Sequence, residues 1–175
     1  MEYSVVIHHS YIMKTLRNIF VLLLIVSAGS IAARAQSSSK DKKAAKLEAI
    51  KSNVDTKNYT FIADYVLPQG GSSKQLTSEY DLRITPDSVI SFLPYFGRAY
   101  FDIPYNPTDG GIKFTSTKFD YKVTEKKKGG WEITINPKDV KDLSRMILDI
   151  SADGYASLAV TSTNRDFISY NGFLK

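Results

Sequence analysis

The chain has no cysteine, and its only two histidines, His8 and His9, lie at the extreme N-terminus. The first absence excludes disulfides and thiol redox chemistry, although an exported protein of this size could have used cross-links. It also excludes a lipid anchor, which would need a cysteine directly after a signal cleavage site. The second leaves everything beyond His9 without imidazole, which excludes Ser-His-Asp and Cys-His catalysis and nearly all zinc sites. Any catalysis would rest on carboxylates, tyrosine, lysine or serine. A long hydrophobic run is missing too. The apolar stretch Ile19–Ala28 is too short to span a bilayer, which takes about 20 apolar residues. Charge is not concentrated either. The net charge of +5 comes from interspersed residues, so no nucleic-acid face is expected. The one dense block, Lys126-Lys127-Lys128, falls in an expected hairpin loop, where solvation suffices to explain it.

Residues 13–35, MKTLRNIFVLLLIVSAGSIAARA, have the form of a secretory signal peptide. Lys14 and Arg17 make the positive start, the apolar run follows, and Ala33-Arg34-Ala35 offers a small-x-small cleavage site. Met1–Ile12 precedes an ordinary signal start and reads as an over-extended gene start or an unusually long n-region. Cleavage after Ala35 leaves Gln36–Lys175 with a mild charge of +3. The expected destination is the periplasm or the medium. Residues 36–43 (QSSSKDKK) are polar and serine-rich, as in a disordered leader. Residues 44–175 then form one domain, large enough for its own core and expected to be monomeric.

Helical periodicity occurs once. Leu47, Ile50 and Val54 make an apolar stripe, and a helix is expected over about Asp41–Ser52. After Asn58 the period becomes two. Tyr59, Phe61, Ala63, Tyr65 and Leu67 alternate with more polar neighbours. So do Leu76, Ser78, Tyr80, Leu82 and Ile84. Val89–Leu93 and Ala99–Ile103 read as strands three and four, with Pro104–Gly111 a long loop. Ile112, Phe114 and Ser116 start a fifth strand, and Phe119, Tyr121 and Val123 make either a sixth or a continuation past a bulge. Lys126–Gly130 closes a hairpin into Trp131, Ile133 and Ile135. Pro137–Ile150 fits either a helical stripe or a strand, and the alternation of Met146, Leu148 and Ile150 favours a short turn over Pro137–Leu143 and then a strand. Tyr155–Ser162 and Phe167–Leu174 complete the pattern. The fold class is mainly β: a small antiparallel barrel, lipocalin-like, or a sandwich of eight to nine strands, preceded by one helix.

Leu93–Tyr100, LPYFGRAY, is the most distinctive segment. Pro94 removes a ladder donor and Gly97 frees the backbone, so the strand should bend there and lie at an edge. Arg98 sits among Tyr95, Phe96 and Tyr100. Its guanidinium is expected to be partly buried against an aromatic face, paired with Asp81, Asp102 or another internal carboxylate, or with an external anion. Tyr80 and Trp131 extend the candidate ligand-binding set through the inward stripe Tyr80, Leu82, Trp131, Ile133 and Ile135. The carboxylates Asp81, Asp102, Asp109, Asp120, Asp149 and Asp153 are scattered, and no motif selects a pair for glycoside chemistry. Asn106–Gly111 lacks the alternating ligands of a calcium loop. No catalytic residue, metal or cofactor is expected.

LPYFGRAY, with Tyr59–Ala63, Gly130-Trp131-Glu132-Ile133, Asp153-Gly154-Tyr155-Ala156, Asn164-Arg165-Asp166 and Ser169-Tyr170-Asn171-Gly172, resembles domain of unknown function 4251, small exported proteins of Bacteroidetes-type bacteria. The resemblance covers about Ala44–Leu174. It implies export, a mostly β fold and no established activity, so no site residue carries over from it. The turn Pro137–Leu143 departs slightly from the family pattern. Two functions are expected to compete. One is an exported, non-catalytic binding module with a small apolar or amphipathic pocket for an apolar or anionic ligand. The other is a structural or protein-interaction component of the bacterial envelope.

Overall fold

The computed structural model describes residues 41–100, 110–127 and 129–175. The expected signal and most of the leader therefore lie outside the described residues. So do most of the expected fourth strand and of the loop after it, with Asp102 and Asp109. Of that strand, Ala99 makes a single antiparallel bridge to Arg165, outside any named strand.

Helix α1 covers 41–56, a turn longer than expected. Its end is closed by Lys57 N–H to Val54 O (3.2 Å) and Asn58 N–H to Asn53 O (3.0 Å), with Lys57 left-handed at φ 52°. This arrangement satisfies carbonyls that a helix end would otherwise orphan. Ile50 and Val54 are buried, but Leu47 is 37% exposed, so the apolar stripe is one residue shorter than its periodicity suggests.

Nine strands follow: β1 (Tyr59–Pro68), β2 (Lys74–Ile84), β3 (Val89–Leu93), β4 (Ile112–Ser116), β5 (Phe119–Glu125), β6 (Trp131–Pro137), β7 (Leu143–Ile150), β8 (Tyr155–Ser162) and β9 (Ile168–Leu174). They form one antiparallel, nearly closed barrel-shaped sheet in the order β4-β3-β2-β1-β9-β8-β7-β6-β5. The ambiguous stretch is strand from Leu143 onward, after a left-handed Asp142 at φ 64°.

The two edge strands of that order are joined by only Thr117 and Lys118. β4 pairs with β3, and β5 pairs with β6. Because every pairing is antiparallel, β4 and β5 run the same way. They are two halves of one bent strand, and the chain itself carries the ring across its break. The carboxylate of Asp139 fastens the bend. Its Oδ2 accepts from Thr117 N–H (2.9 Å) and Lys118 N–H (3.2 Å), and its Oδ1 accepts from the buried Ser116 hydroxyl. Lys138 N–H also donates to Lys118 O (2.7 Å). Hydrogen bonds to the charged form hold the Asp139 carboxyl low, at about 2.

Alternation fills the barrel. Trp131, Ile133 and Ile135 are buried with Glu132 exposed, and Met146, Leu148, Ile150, Leu158, Ile168 and Tyr170 join Phe61, Leu82 and Ile84 in one contiguous core. Each such side chain contributes about 1.5–3 kcal/mol by leaving water. β1 departs from simple alternation. A bulge between Ala63 and Tyr65 inverts the register, so Val66 is buried while Tyr65 is 43% exposed. On β2, Ser78 is exposed and Tyr80 only partly buried. Gly172 permits the β1–β9 contact at that bulge, since a Cβ there would lie 1.8 Å from Ile62 O.

Candidate functional site

The bent segment 94–100 is stitched to the β8–β9 turn. After β3 ends at Leu93, Tyr170 donates its hydroxyl to Pro94 O at 2.6 Å. Burial pushes that phenol's pKa up, which keeps the donor protonated. The Tyr95 hydroxyl lies 2.8 Å from Arg98 O and 3.1 Å from Asp166 O, between two acceptors. Gly97 is needed for this fold-back, because a Cβ there would come within 2.3 Å of the Tyr95 hydroxyl. Asp166 N–H donates to Arg98 O (3.0 Å) and Tyr100 N–H to Asn164 O (2.8 Å). The Asp166 carboxylate accepts from the Tyr100 hydroxyl and, at 3.4 Å, from Arg98 N–H. Tyr100's pKa is raised, chiefly by that hydrogen bond, and Tyr95's chiefly by desolvation.

Tyr95, Arg98 and Tyr100 are thus brought together, but the arginine with the expected contacts is a different one. Arg98 is exposed, and among the described residues its guanidinium makes no ion pair or ring contact. Arg165 lies over the Tyr95 ring, 5.1 Å from its centroid, and donates from Nη1 to Gly110 O at 2.7 Å. The physical reason is the bend, which turns Arg98 outward while the β8–β9 turn slides Arg165 beneath the ring. Of the acidic partners expected for Arg98, Asp81 faces Arg83 on its own strand, at 3.4 Å. Tyr80 and Trp131 do not join this corner. Tyr80 stacks on Phe92 with ring centroids 5.7 Å apart, and the Trp131 indole is in the core.

Between the corner and the β1–β2 hairpin runs an open groove of about 530 Å³. Gln69, Gly70, Gly71, Ser72 and Lys74 line one wall, and Phe96, Gly97, Arg98, Tyr100 and Asp166 the other. Lys74 Nζ stands 4.6 Å from the centroid of Phe96. The groove therefore offers two cations beside two exposed rings, and its one carboxylate is already engaged by Tyr100. Such a surface can hold an anion with an apolar body. Among the described residues, no group of three or more His, Cys, Asp or Glu is placed to hold a metal ion. Sequence reasoning did not select Asp166, Gln69 or Lys74. Asp166 had a signal, as part of Asn164-Arg165-Asp166, whereas Gln69 and Lys74 sit in an unremarkable polar turn.

A barrel of nine antiparallel strands behind one helix, clasped by a bent Pro-Tyr-Phe-Gly-Arg segment, defines the class of fold. Residues 41–174 match the family described as Domain of unknown function (DUF4251), and the chain belongs to that family. Among solved structures it is similar to the crystal structure of a DUF4251 family protein from Bacteroides eggerthii DSM 20697. The two share 16% sequence identity and a TM-score of 0.54, over 75% of this chain and 90% of that one. The likeness is one of fold. No curated protein matches the chain. Among the described residues no helix is long and apolar enough to cross a membrane.

Proposed function

We propose that this chain is an exported, non-catalytic binding module whose ligand lies in the open groove beside Arg98. The observation that carries the reading is that Arg98, Lys74 and the exposed rings of Phe96 and Tyr100 line one groove. An exposed arginine that lines the same groove as two exposed rings, with no ion pair among the described residues, supports recognition of an external anion. The contiguous buried core supports a ligand site at the rim rather than inside the barrel. Export rests on residues 13–35 and on a family match that begins past the expected cleavage site. N-terminal sequencing of the mature protein should then start at Gln36.

The test uses benzoate, an aromatic carboxylate, titrated into isotope-labelled protein. Amide shifts should concentrate on Phe96, Gly97, Arg98 and Lys74. Arg98→Ala should abolish them and leave the melting temperature unchanged. Shifts that persist in Arg98→Ala would overturn the assignment. The filled interior favours one second reading, an envelope interaction protein whose outer surface does the work. A stable complex with an envelope protein that survives Arg98→Ala would support it.

A further inference from the structure

The outer face of the sheet carries a second groove, of about 400 Å³, separate from the corner. It is lined by Asp64, Tyr65, Asp149, Ser151, Tyr155, Ser157 and Asn171, with Ala156 and Gly172 at its floor. Strand register puts Tyr65, Asn171, Ser157 and Asp149 directly opposite one another across β1, β9, β8 and β7. Tyr155 stands one row away, opposite Phe173. The groove is thus a trough across the strands with an exposed phenol on either side, Tyr65 at 43% and Tyr155 at 67%. β1 and β8 flank β9, so the two phenols belong to strands about 10 Å apart.

The bulge in β1 creates this trough. By leaving Asp64 as an extra residue between Ala63 and Tyr65 against β9 it breaks the alternation, and both Asp64 and Tyr65 line the groove. Bulges re-aim side chains in this way. The polar side chains placed there are not spent on the protein. Asp64, Ser157 and Asn171 make no side-chain hydrogen bond or ion pair among the described residues, whereas Asp149 is engaged by Lys126. Two flat rings flank a set of free donors and acceptors: an amide, a hydroxyl and a carboxylate. No arginine or lysine lines the trough, which disfavours an anion. It is open rather than caged, and a compact cation would need an enclosing aromatic box.

We propose that this trough is a binding site for a neutral saccharide, whose C–H faces lie on Tyr65 and Tyr155 and whose hydroxyls bond Asp64, Ser157 and Asn171. Amphipathic rings with polar neighbours suit such a ligand, which presents apolar faces and hydroxyl edges. The site is independent of the groove beside Arg98.

The test titrates isotope-labelled protein with a panel of neutral oligosaccharides, α- and β-linked glucans, a mannan and a xylan, with choline as the cationic comparator. At least one oligosaccharide should shift the backbone amides of Tyr65, Ser157 and Tyr155 and the side-chain amide of Asn171. Tyr155→Ala and Asn171→Ala should each weaken that binding tenfold or more. Both side chains are exposed, so the melting temperature should stay within a degree or two, and Arg98→Ala should leave the binding intact. The proposal is overturned if no oligosaccharide shifts these signals, if choline alone does, or if Tyr155→Ala binds as well as the parent.

Discussion

Gly172→Ala is the most demanding test of the packing. In the native register Gly172 faces Ala63 at the β1 bulge. A Cβ at residue 172 would lie 1.8 Å from Ile62 O, 2.9 Å from Ile62 C and 3.1 Å from Ala63 Cα. All three neighbours are backbone, so no side chain can rotate away. Relief requires β1 and β9 to separate by about an ångström, which disturbs about two of their hydrogen bonds at about 1 kcal/mol each. Ordinary overpacking adds about 1–3 kcal/mol. The sum is about 3–5 kcal/mol, a large share of the 5–15 kcal/mol typical of a domain. Urea unfolding followed by circular dichroism measures it. At a slope of about 1.5 kcal/mol/M the midpoint should fall by about 2 M or more. Gly71→Ala is the control, because its Cβ would meet only Pro68 atoms at 3.5 and 3.6 Å, and it should stay within about 0.5 kcal/mol of the parent. A Gly172→Ala protein within 1 kcal/mol of the parent would refute the idea that backbone proximity dictates this residue.

Two further outcomes follow from the same structure. The Asp139 carboxyl is depressed from 3.8 to about 2 by its hydrogen bonds, so its contribution is fully present above pH 3.8 and disappears as pH falls toward 2. Melting temperatures between pH 6 and 2 should fall more steeply for the parent than for Asp139→Asn, which starts lower at neutral pH, and parallel curves would refute the clasp at the β4–β5 bend. Trp131→Ala removes a core indole and should cost about 3–5 kcal/mol by denaturant unfolding, with native Trp131 fluorescence blue-shifted; a solvent-like emission maximum would contradict its burial.

Local pattern was enough for most of the β elements. Val89–Leu93 and Tyr155–Ser162 have the bounds that alternation suggests, because a half-buried strand must place apolar side chains on one face. Trp131, Ile133 and Ile135 face inward for the same reason. The segment 93–100 was legible as a bend, since Pro94 and Gly97 act on their own backbone. What it bends against was not. Arg98 and Arg165 are both arginines near tyrosine in a β-rich chain, and only the docking of the β8–β9 turn decides which one lies on Tyr95.

The bulge at Asp64–Tyr65 was likewise invisible. Tyr59–Leu67 alternates without a break, and the inversion comes from the approach of β9, where Gly172 lets the backbones close. The sequence by itself determined most of the strands and the absence of imidazole and thiol chemistry, because those depend on residue type and spacing along the chain. Tertiary structure alone decided that β4 and β5 are halves of one bent strand and that Asp139 fastens the bend. It also decided which aromatic rings line a groove, because each of these depends on contacts between residues far apart in the chain, which no local periodicity encodes.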